Sequence, residues 1–471
     1  MYKGKLLSPK SYQARYWNEY AQTMPRDKLD ALHLKRIKFL LDYAYNNSKF
    51  YRRLYDRNGV KPEDINSLDD FKRKVPLTDK PMIQPSQRIP DLPYGDITAC
   101  DDSFIQVHYQ TSGTTGEPLL EGWEDYAVQR IGDGWCPAWW DIGIRPNDVF
   151  YFAFDFGAFA GFWSALWGAI RFGAKVVSGA GVAMTSGERV RQIIWLKPTV
   201  LVCTPTYAFR LADVAREMGI DPAATSIKFH VGAGEPGPAS ISELKRRVEA
   251  SWGCKTCEVL GISEIPTVAP SCIMGDGLHE HEMHQFAWVR DPETGNEVAE
   301  GEVGERIITC FSNFATPFIN YRTHDLVRPY RSCPCGSTWL FYKHGVLGRT
   351  DYMVTIKGTN VYQTAVENII AGLPEATNYY QLILIRKKNV NNLTIRLELK
   401  RDVPQERYDS VASKLRSEIR TRLGVTLPVE VVPPDTLPRY EVKTKRLIDK
   451  RPDKYRPELA RKIKLSKQDG A

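Results

Sequence analysis

The sequence predicts an α/β fold: a large N-terminal domain with parallel-rich sheets covered by helices, a small β-barrel-like subdomain, and a C-terminal α+β domain. Three observations carry this reading. Short apolar runs alternate with amphipathic segments from Asn147 to Val259, hairpin-like strands take over at Phe286, and a separate α+β pattern begins near Arg349. Alternation of buried strands with helices implies a mostly parallel sheet covered on both faces.

His33–Tyr55 carries Ile37, Leu40, Leu41 and Ala44 at helical spacing, whereas Glu63–Gln87, rich in Pro and Lys, reads as irregular. Val149–Phe154, Ala174–Val177, Thr199–Cys203 and Lys228–Val231 read as buried strands, with helices at Arg189–Leu196, Tyr207–Glu217 and Ala239–Ala250 between them. Phe286–Arg290 and Gly304–Cys310 flank a Pro-Glu-Thr-Gly-Asn turn and form the start of the smaller β-rich part. The last segment gives a helix at Thr364–Ala371, strands at Tyr380–Arg386 and Leu393–Lys400, and a helix at Pro404–Leu423.

The chain has 471 residues, 42% of them apolar, enough for two to four domains and a large core. It contains no run of eighteen apolar residues, so no membrane helix is expected, and its first residues lack the apolar core of a secretory signal. Nine cysteines without such a signal point to a reducing cytoplasm rather than a disulfide scaffold. The formal net charge of +8 is local: twelve Lys/Arg against four Asp/Glu lie between Pro438 and Lys467. No nucleic-acid-binding pattern accompanies that excess, so a small polyanionic cosubstrate is the expected partner, with no nucleic acid and no membrane.

Residues 111–118, Thr-Ser-Gly-Thr-Thr-Gly-Glu-Pro, read either as a phosphate cradle or as a polar turn. Gly113 and Gly116 let backbone N–H groups approach an anion, and Ser112, Thr114 and Thr115 add hydroxyl donors. The spacing is not that of a Walker loop. At Leu260–Glu264 a buried strand ends in a Gly turn and then a carboxylate, at the end of a parallel sheet where ligands bind. Glu264 there reads as a holder of Mg²⁺ on a triphosphate or as a helix cap. Further along stand Tyr321-Arg322-Thr323-His324-Asp325, whose aspartate can accept from ribose hydroxyls, Gly348-Arg349-Thr350-Asp351, Lys357-Gly358-Thr359-Asn360, and a basic loop at Leu437–Arg446.

In this order and spacing the segments resemble the phenylacetate–CoA ligase family of the adenylate-forming acyl-CoA synthetase superfamily, over nearly the whole chain. The resemblance implies an ATP-dependent aryl acid–CoA ligase, with ATP, Mg²⁺ and coenzyme A, a large domain at 1–348 (β-rich part at about 280–348), a hinge at 349–351, and a small mobile domain at 352–471. It implies that Ser112–Gly116 hold the ATP phosphates and that Gly232, Ala233, Gly234, Glu235 and Pro236 line the adenine and acyl pocket together with Gly261. Asp325 would take the ribose hydroxyls, assisted by Arg349. Glu264 would ligate Mg²⁺, Asp351 would be the hinge, Lys443 would stabilise charge at the reaction centre, and Lys357 and Gly358 would line the CoA channel. A homodimer is the expected assembly. Deazaflavin-coenzyme adenylyltransferases look similar along the same length, and a non-catalytic nucleotide-binding relative is a third reading.

The chain departs from the family pattern at several places. Glu117 stands where Lys is usual, His324 and Val442 where Gly is usual, and Gln363 where Pro is usual. The 232–237 segment reads Gly-Ala-Gly-Glu-Pro-Gly. Cys272, His279, Cys333 and Cys335 offer three thiolates and one imidazole, a set suited to tetrahedral structural zinc, and the family resemblance favours them. Cys254 and Cys257 read as structural, and His281 and His284 as solvated. Trp135, Trp139, Phe152, Phe154, Phe156, Phe162 and Trp163 crowd one stretch. Phe154 and Phe156 fall where the family pocket for an aromatic ring lies. No cation among these aromatics pairs with a second carboxylate, so a flat monocarboxylic aromatic acid is expected.

Overall fold

The computed structural model describes residues 11–88, 93–111, 118–154, 156–181, 184–235, 237–350, 354–356, 359–387, 390–439 and 446–452. Its centre is a six-stranded sheet in the order Lys175–Ser178, Val149–Phe152, Val200–Val202, Phe229–Gly232, Lys255–Leu260, Ala269–Pro270. The first five strands are parallel and the last is antiparallel. The central strands are buried nearly throughout, which is why they read as unbroken apolar runs.

The chain leaves Val149–Phe152 towards one side through the helix Ala160–Phe172 and then returns past it to the other side. Right-handed crossovers therefore put Ala160–Phe172 on one face and Ser186–Leu196, Pro205–Glu217 and Ser242–Trp252 on the other. The reversal of strand order lies where Val149–Phe152 and Val200–Val202 end, the place where ligands enter open α/β sheets. Two of these helices have a local reason to begin. Thr185 forms a capping box with Glu188, and Thr204 accepts from Tyr207 N just before Pro205 at the first helical position.

The β-rich part is a four-stranded antiparallel sheet of Gln285–Arg290, Gly304–Cys310, Tyr321–Val327 and Gly348–Arg349. A three-stranded sheet of Pro329–Tyr330, Phe341–Lys343 and Gly277–His279 accompanies it. Arg306 and Glu280 are buried together, 2.7 Å apart, and Tyr342 donates to the same carboxylate at 2.7 Å. The C-terminal sheet runs Val429–Val432, Val390–Leu399, Ala376–Lys387, Leu447–Asp449, mixed in direction, and packs with the helices Gln363–Ala371 and Tyr408–Leu423 around a core of its own.

Two expectations need correction. Glu63–Gln87 is not irregular: it holds the helices Leu68–Lys74 and Lys80–Ile83, capped by Ser67 and Asp79. Pro81 sits in the first turn, where a missing N–H costs nothing. The first long helix ends at Asn47, and Ser48 then caps a second one, Lys49–Arg57. No helix among the described residues is long and apolar enough to cross a membrane.

Trp139 is fully buried, stacked on Trp135 at 4.6 Å and edge-on to Phe150 at 5.1 Å. Trp139→Ala is expected to destabilise the large domain by about 3–5 kcal/mol, read as a lower urea midpoint with little change in slope.

Candidate active site

The six expected phosphate-loop positions Ser112 to Glu117 lie outside the described residues, but both ends of that loop are fixed. Ile105–Gln110 and Leu120–Glu124 form an antiparallel hairpin with Gln110 opposite Leu120. Thr111 N donates to Leu119 O, and Leu119 N donates to Thr111 Oγ1, each at 2.9 Å. Lys80 Nζ donates to the same hydroxyl at 3.1 Å. A cation therefore stands at the base of the loop, contributed by a segment whose helix the sequence reading missed.

Glu264 lies beyond the end of Lys255–Leu260, buried, with Tyr321 donating to its Oε1 at 2.8 Å. Glu121, two residues after the loop's closing clamp, is fully buried, and among the described residues neither of its oxygens has a hydrogen bond of good geometry. Burial first, and then the charge of Glu264, pushes its carboxyl well above the usual range.

Asp325 and Arg349 are register partners across two strands, with Arg349 Nη1 donating to Asp325 Oδ1 at 3.0 Å. Asp325 lies within its strand rather than at the end, and its Oδ2 is buried with no hydrogen-bond partner among the described residues. His324 takes φ +65°, the left-handed region that a glycine would occupy freely. Its Nδ1 faces Thr350 Oγ1 at 3.0 Å and Glu305 Oε1 at 3.1 Å, contacts a glycine would lack.

Phe229–Gly232 delivers Gly232, Ala233, Gly234 and Glu235 to the sheet's carboxyl edge, Gly234 at φ +84°. Thr206 N donates to Glu235 Oε1 at 2.6 Å. Opposite Gly232 in register stands Glu258, fully buried, accepting from Ala239 N at 2.9 Å. A Cβ at Gly237 would lie 2.8 Å from that carboxylate, so the bend of the strip needs a glycine there. Burial pushes Glu258 up to about 7 although backbone N–H groups oppose the shift. Gly261 follows the neighbouring strand and packs against Val268. Phe154 is buried against Phe162, and Phe156 meets Trp163 edge-on at 4.9 Å, both at the point where strand order reverses. Pro236, Asp351, Lys357, Gly358, Val442 and Lys443 lie outside the described residues.

Cys272, His279, Cys333 and Cys335 come together, with ligand atoms all within 4.8 Å of one another and every side chain buried. Cys335 Sγ is 3.2 Å from His279 Nε2, and Cys272 Sγ is 3.5 Å from Cys333 Sγ. His279 Nδ1 lies 3.2 Å from the Trp339 carbonyl, which can only accept, so Nδ1 carries the proton and Nε2 faces the sulfurs. A closed set of four such donors fits a tetrahedral structural metal. Cys254 and Cys257 are buried apart from it, Cys257 donating to His230 O at 3.3 Å. His281 is not solvated: it is buried against Trp339 and His284, and burial lowers its pKa to about 4. His284, half-buried, is bonded to Ser312 Oγ at 2.9 Å, and burial lowers its pKa as well.

Glu121, Glu258, Lys80 and Thr206 were not among the residues expected at the site. Single polar residues in apolar strands or at helix starts carry no motif, and only the fold brings them to this edge.

Residues 56–310 match the AMP-binding enzyme family, and 358–451 match the AMP-binding enzyme C-terminal domain. The chain is similar to phenylacetate-coenzyme A ligase of Thermus thermophilus, 32% identical over 91% of this chain and 98% of that one. It is also similar to the Escherichia coli K12 enzyme of the same description, 30% identical over 91% and 97%. Among solved structures, 2-hydroxyisobutyryl-CoA ligase in its postadenylation state superposes with TM-score 0.88 at 28% identity, covering 100% of this chain and 98% of that chain. In its thioesterification state, with CoA, the same ligase gives 0.71 at 29% identity over the same shares.

Folding raises the Glu258 pKa from 4.5 to about 7, so its contribution to stability is complete below pH 4.5 and is lost as pH rises towards 7. The stability difference between wild type and Glu258→Gln should fall across that window, by up to about 1.4 kcal/mol per pH unit, and level off above it. Urea titrations at stepped pH measure this.

Proposed function

The chain belongs to the phenylacetate–coenzyme A ligase family of AMP-binding enzymes, and on that premise we propose an ATP-dependent, AMP-forming acid–CoA ligase whose acid is a flat aromatic monocarboxylate. The observation that carries the reading is Asp325, a buried carboxylate with one oxygen held by Arg349 and the other without a hydrogen bond among the described residues, where a ribose hydroxyl would donate. Its neighbours fit the same ligand: a hydroxyl- and glycine-rich loop with a lysine at its base, a carboxylate at a strand end, and a glycine strip at the sheet edge.

The chemistry follows from charge. The carboxylate of the acid attacks the α-phosphate of ATP and pyrophosphate leaves. The thiol of coenzyme A then attacks the acyl carbon, and AMP leaves with the P–O–C oxygen. Both steps need alignment and positive charge around a crowded anionic centre rather than a covalent protein intermediate. We assign that charge to Lys443, from the basic loop of the small domain, and to Lys80 at the phosphate loop, since Glu117 cannot supply it. Glu264 would hold Mg²⁺, which neutralises triphosphate charge. Asp351, at 349–351, would be the hinge between 1–348 and 352–471, and Lys357 and Gly358 would line the CoA channel. Phe154, Phe156 and Trp163 support an aromatic acid, because their faces and edges suit offset and edge-on ring contacts.

Cys272, His279, Cys333 and Cys335 would hold zinc in a structural role, tying the loops beside the β-rich sheets. Purified protein is expected to carry about one zinc per chain. Elemental analysis finding none, in protein purified without chelator, would dismiss the assignment.

Pyrophosphate release measured over phenylacetate, benzoates and 2-hydroxyisobutyrate, with and without CoA, tests the substrate class. Aromatic acids should be preferred, and AMP should accumulate only with CoA. Lys443→Ala should lower pyrophosphate formation by roughly 10²-fold or more while leaving thioester formation from a preformed acyl-adenylate close to wild type. Equal loss of both steps would remove Lys443 from the adenylation centre.

A further inference from the structure

Arg446 follows the basic loop of the small domain, and its side chain is buried although it carries a full charge. Its guanidinium lies over the Tyr380 ring at 4.4 Å. Nη1 donates to the Tyr380 hydroxyl and, at 3.4 Å, to Glu367 Oε1. Those partners stand on the strand Ala376–Lys387 and the helix Gln363–Ala371, within the small domain's own sheet-and-helix unit. Nη2 points the other way. It donates to Thr206 Oγ1 at 2.6 Å, on the helix Pro205–Glu217 of the large domain. The backbone N–H of Thr206 in turn donates to Glu235 Oε1 at 2.6 Å. One continuous path thus runs from Glu235, in the strip expected to line the nucleotide, through Thr206 and Arg446 to Glu367 and Tyr380.

The two ends of this path differ in how easily they part. Inside the small domain Arg446 keeps a ring, a hydroxyl and a carboxylate whatever the domain does. Across the boundary its one hydrogen bond among the described residues goes to an uncharged hydroxyl, which water can replace on both sides, and the Glu235 carboxylate acts on it through space without a direct bond. Arg446 is therefore paired when the domains separate, so releasing the bond strands no buried charge. The opposite arrangement, an interdomain Arg–carboxylate pair, would resist opening. Glu235 fixes Thr206, so a displacement of Glu235 by bound nucleotide moves the acceptor that Arg446 uses. The orientation seen here is nearer the postadenylation state of 2-hydroxyisobutyryl-CoA ligase than its thioesterification state.

We propose that Arg446 is a domain-positioning residue: its bond to Thr206 latches the small domain in the orientation used for adenylate formation, and Glu235 links that latch to nucleotide occupancy. The proposal rests on the ligase reading above, and assigns Arg446 no contact with reacting atoms.

Thr206→Val tests it most cleanly, because it removes the acceptor but keeps the branched shape, the Thr204 cap and the backbone bond to Glu235. Arg446→Met is the second variant, removing the charge as well. Two rates are compared with wild type: pyrophosphate release without CoA, and thioester formation from a synthetic acyl-adenylate. Small-angle scattering of the ATP-bound protein reports domain orientation independently. Thr206→Val should slow pyrophosphate release about tenfold, the effect of losing one charged hydrogen bond, leave thioester formation unchanged or faster, and widen the ATP-bound scattering profile. Equal slowing of both rates, as a general loss of structure would give, overturns the latch, as does a Thr206→Val protein indistinguishable from wild type in both rates and in scattering. If the wild type makes no thioester with any acid, the ligase reading fails instead, and the scattering comparison still decides the latch.

Discussion

The parallel register between Phe229–Gly232 and Lys255–Leu260 is the constraint on which the rest of the site depends. It sets Gly232 opposite Glu258 and so brings two loops, one carrying Gly234 and Glu235 and the other Gly261 and Glu264, to a single edge. Neither loop has enough regular structure to hold its own shape. Gly234 is in the left-handed region, and the bend at Gly237 is held from below by Glu258, through N–H bonds that a side chain at Gly237 would disrupt. The acid inside the sheet is thus a strut for the strip above it. Its carboxyl is costly to bury charged, and the raised pKa is the expression of that cost.

A second layer of constraint comes from the antiparallel sheet. Asp325 and Arg349 meet because Tyr321–Val327 pairs with Gly348–Arg349, and the residue after Arg349 also anchors His324 through Thr350. Buried ion pairs such as Arg306–Glu280 hold this layer without being exposed to solvent screening. Asp325 and Arg349 therefore stand on strands rather than on free loops, and their spacing is set by backbone hydrogen bonds.

Much of this was legible in the sequence, for identifiable reasons. Strand–helix alternation exposed the parallel sheet because buried strands must be apolar on both faces. Glu264, Asp325 and Arg349 stood out because each sits in a run of polar residues next to an apolar approach. Their partners did not. Glu121 is a lone acid in a strand flanked by Leu120 and Gly122, and nothing in that pattern says that both its oxygens will be buried. Thr206 looks like any hydroxyl near a helix start, and its role exists only once the small domain is docked. The short helices at Leu68–Lys74 and Lys80–Ile83 were hidden by Pro76 and Pro81, although Ser67 and Asp79 were visible caps. His281 was misjudged because its neighbours in sequence are charged, while its neighbours in space are Trp339 and His284.

The cysteine–histidine cluster ties together parts of the chain far apart in order. Cys272 and Cys333 are 61 positions apart, and the carbonyl of Cys335 accepts from Tyr16 at 2.6 Å and from Arg15. Three separate stretches of backbone therefore converge on one knot, and closing so wide a circuit carries an entropic cost that grows only slowly with its length. The knot completes late in chain order, after the strands Gln285–Arg290, Gly304–Cys310 and Tyr321–Val327 and before Phe341–Lys343 and Gly348–Arg349. Residues 15 and 16 are thus tied to a carbonyl more than three hundred positions later, while their neighbours Ala14 and Trp17 rest on Trp140 and Phe172 of the large domain, so the knot fastens the β-rich part to the parallel-sheet core.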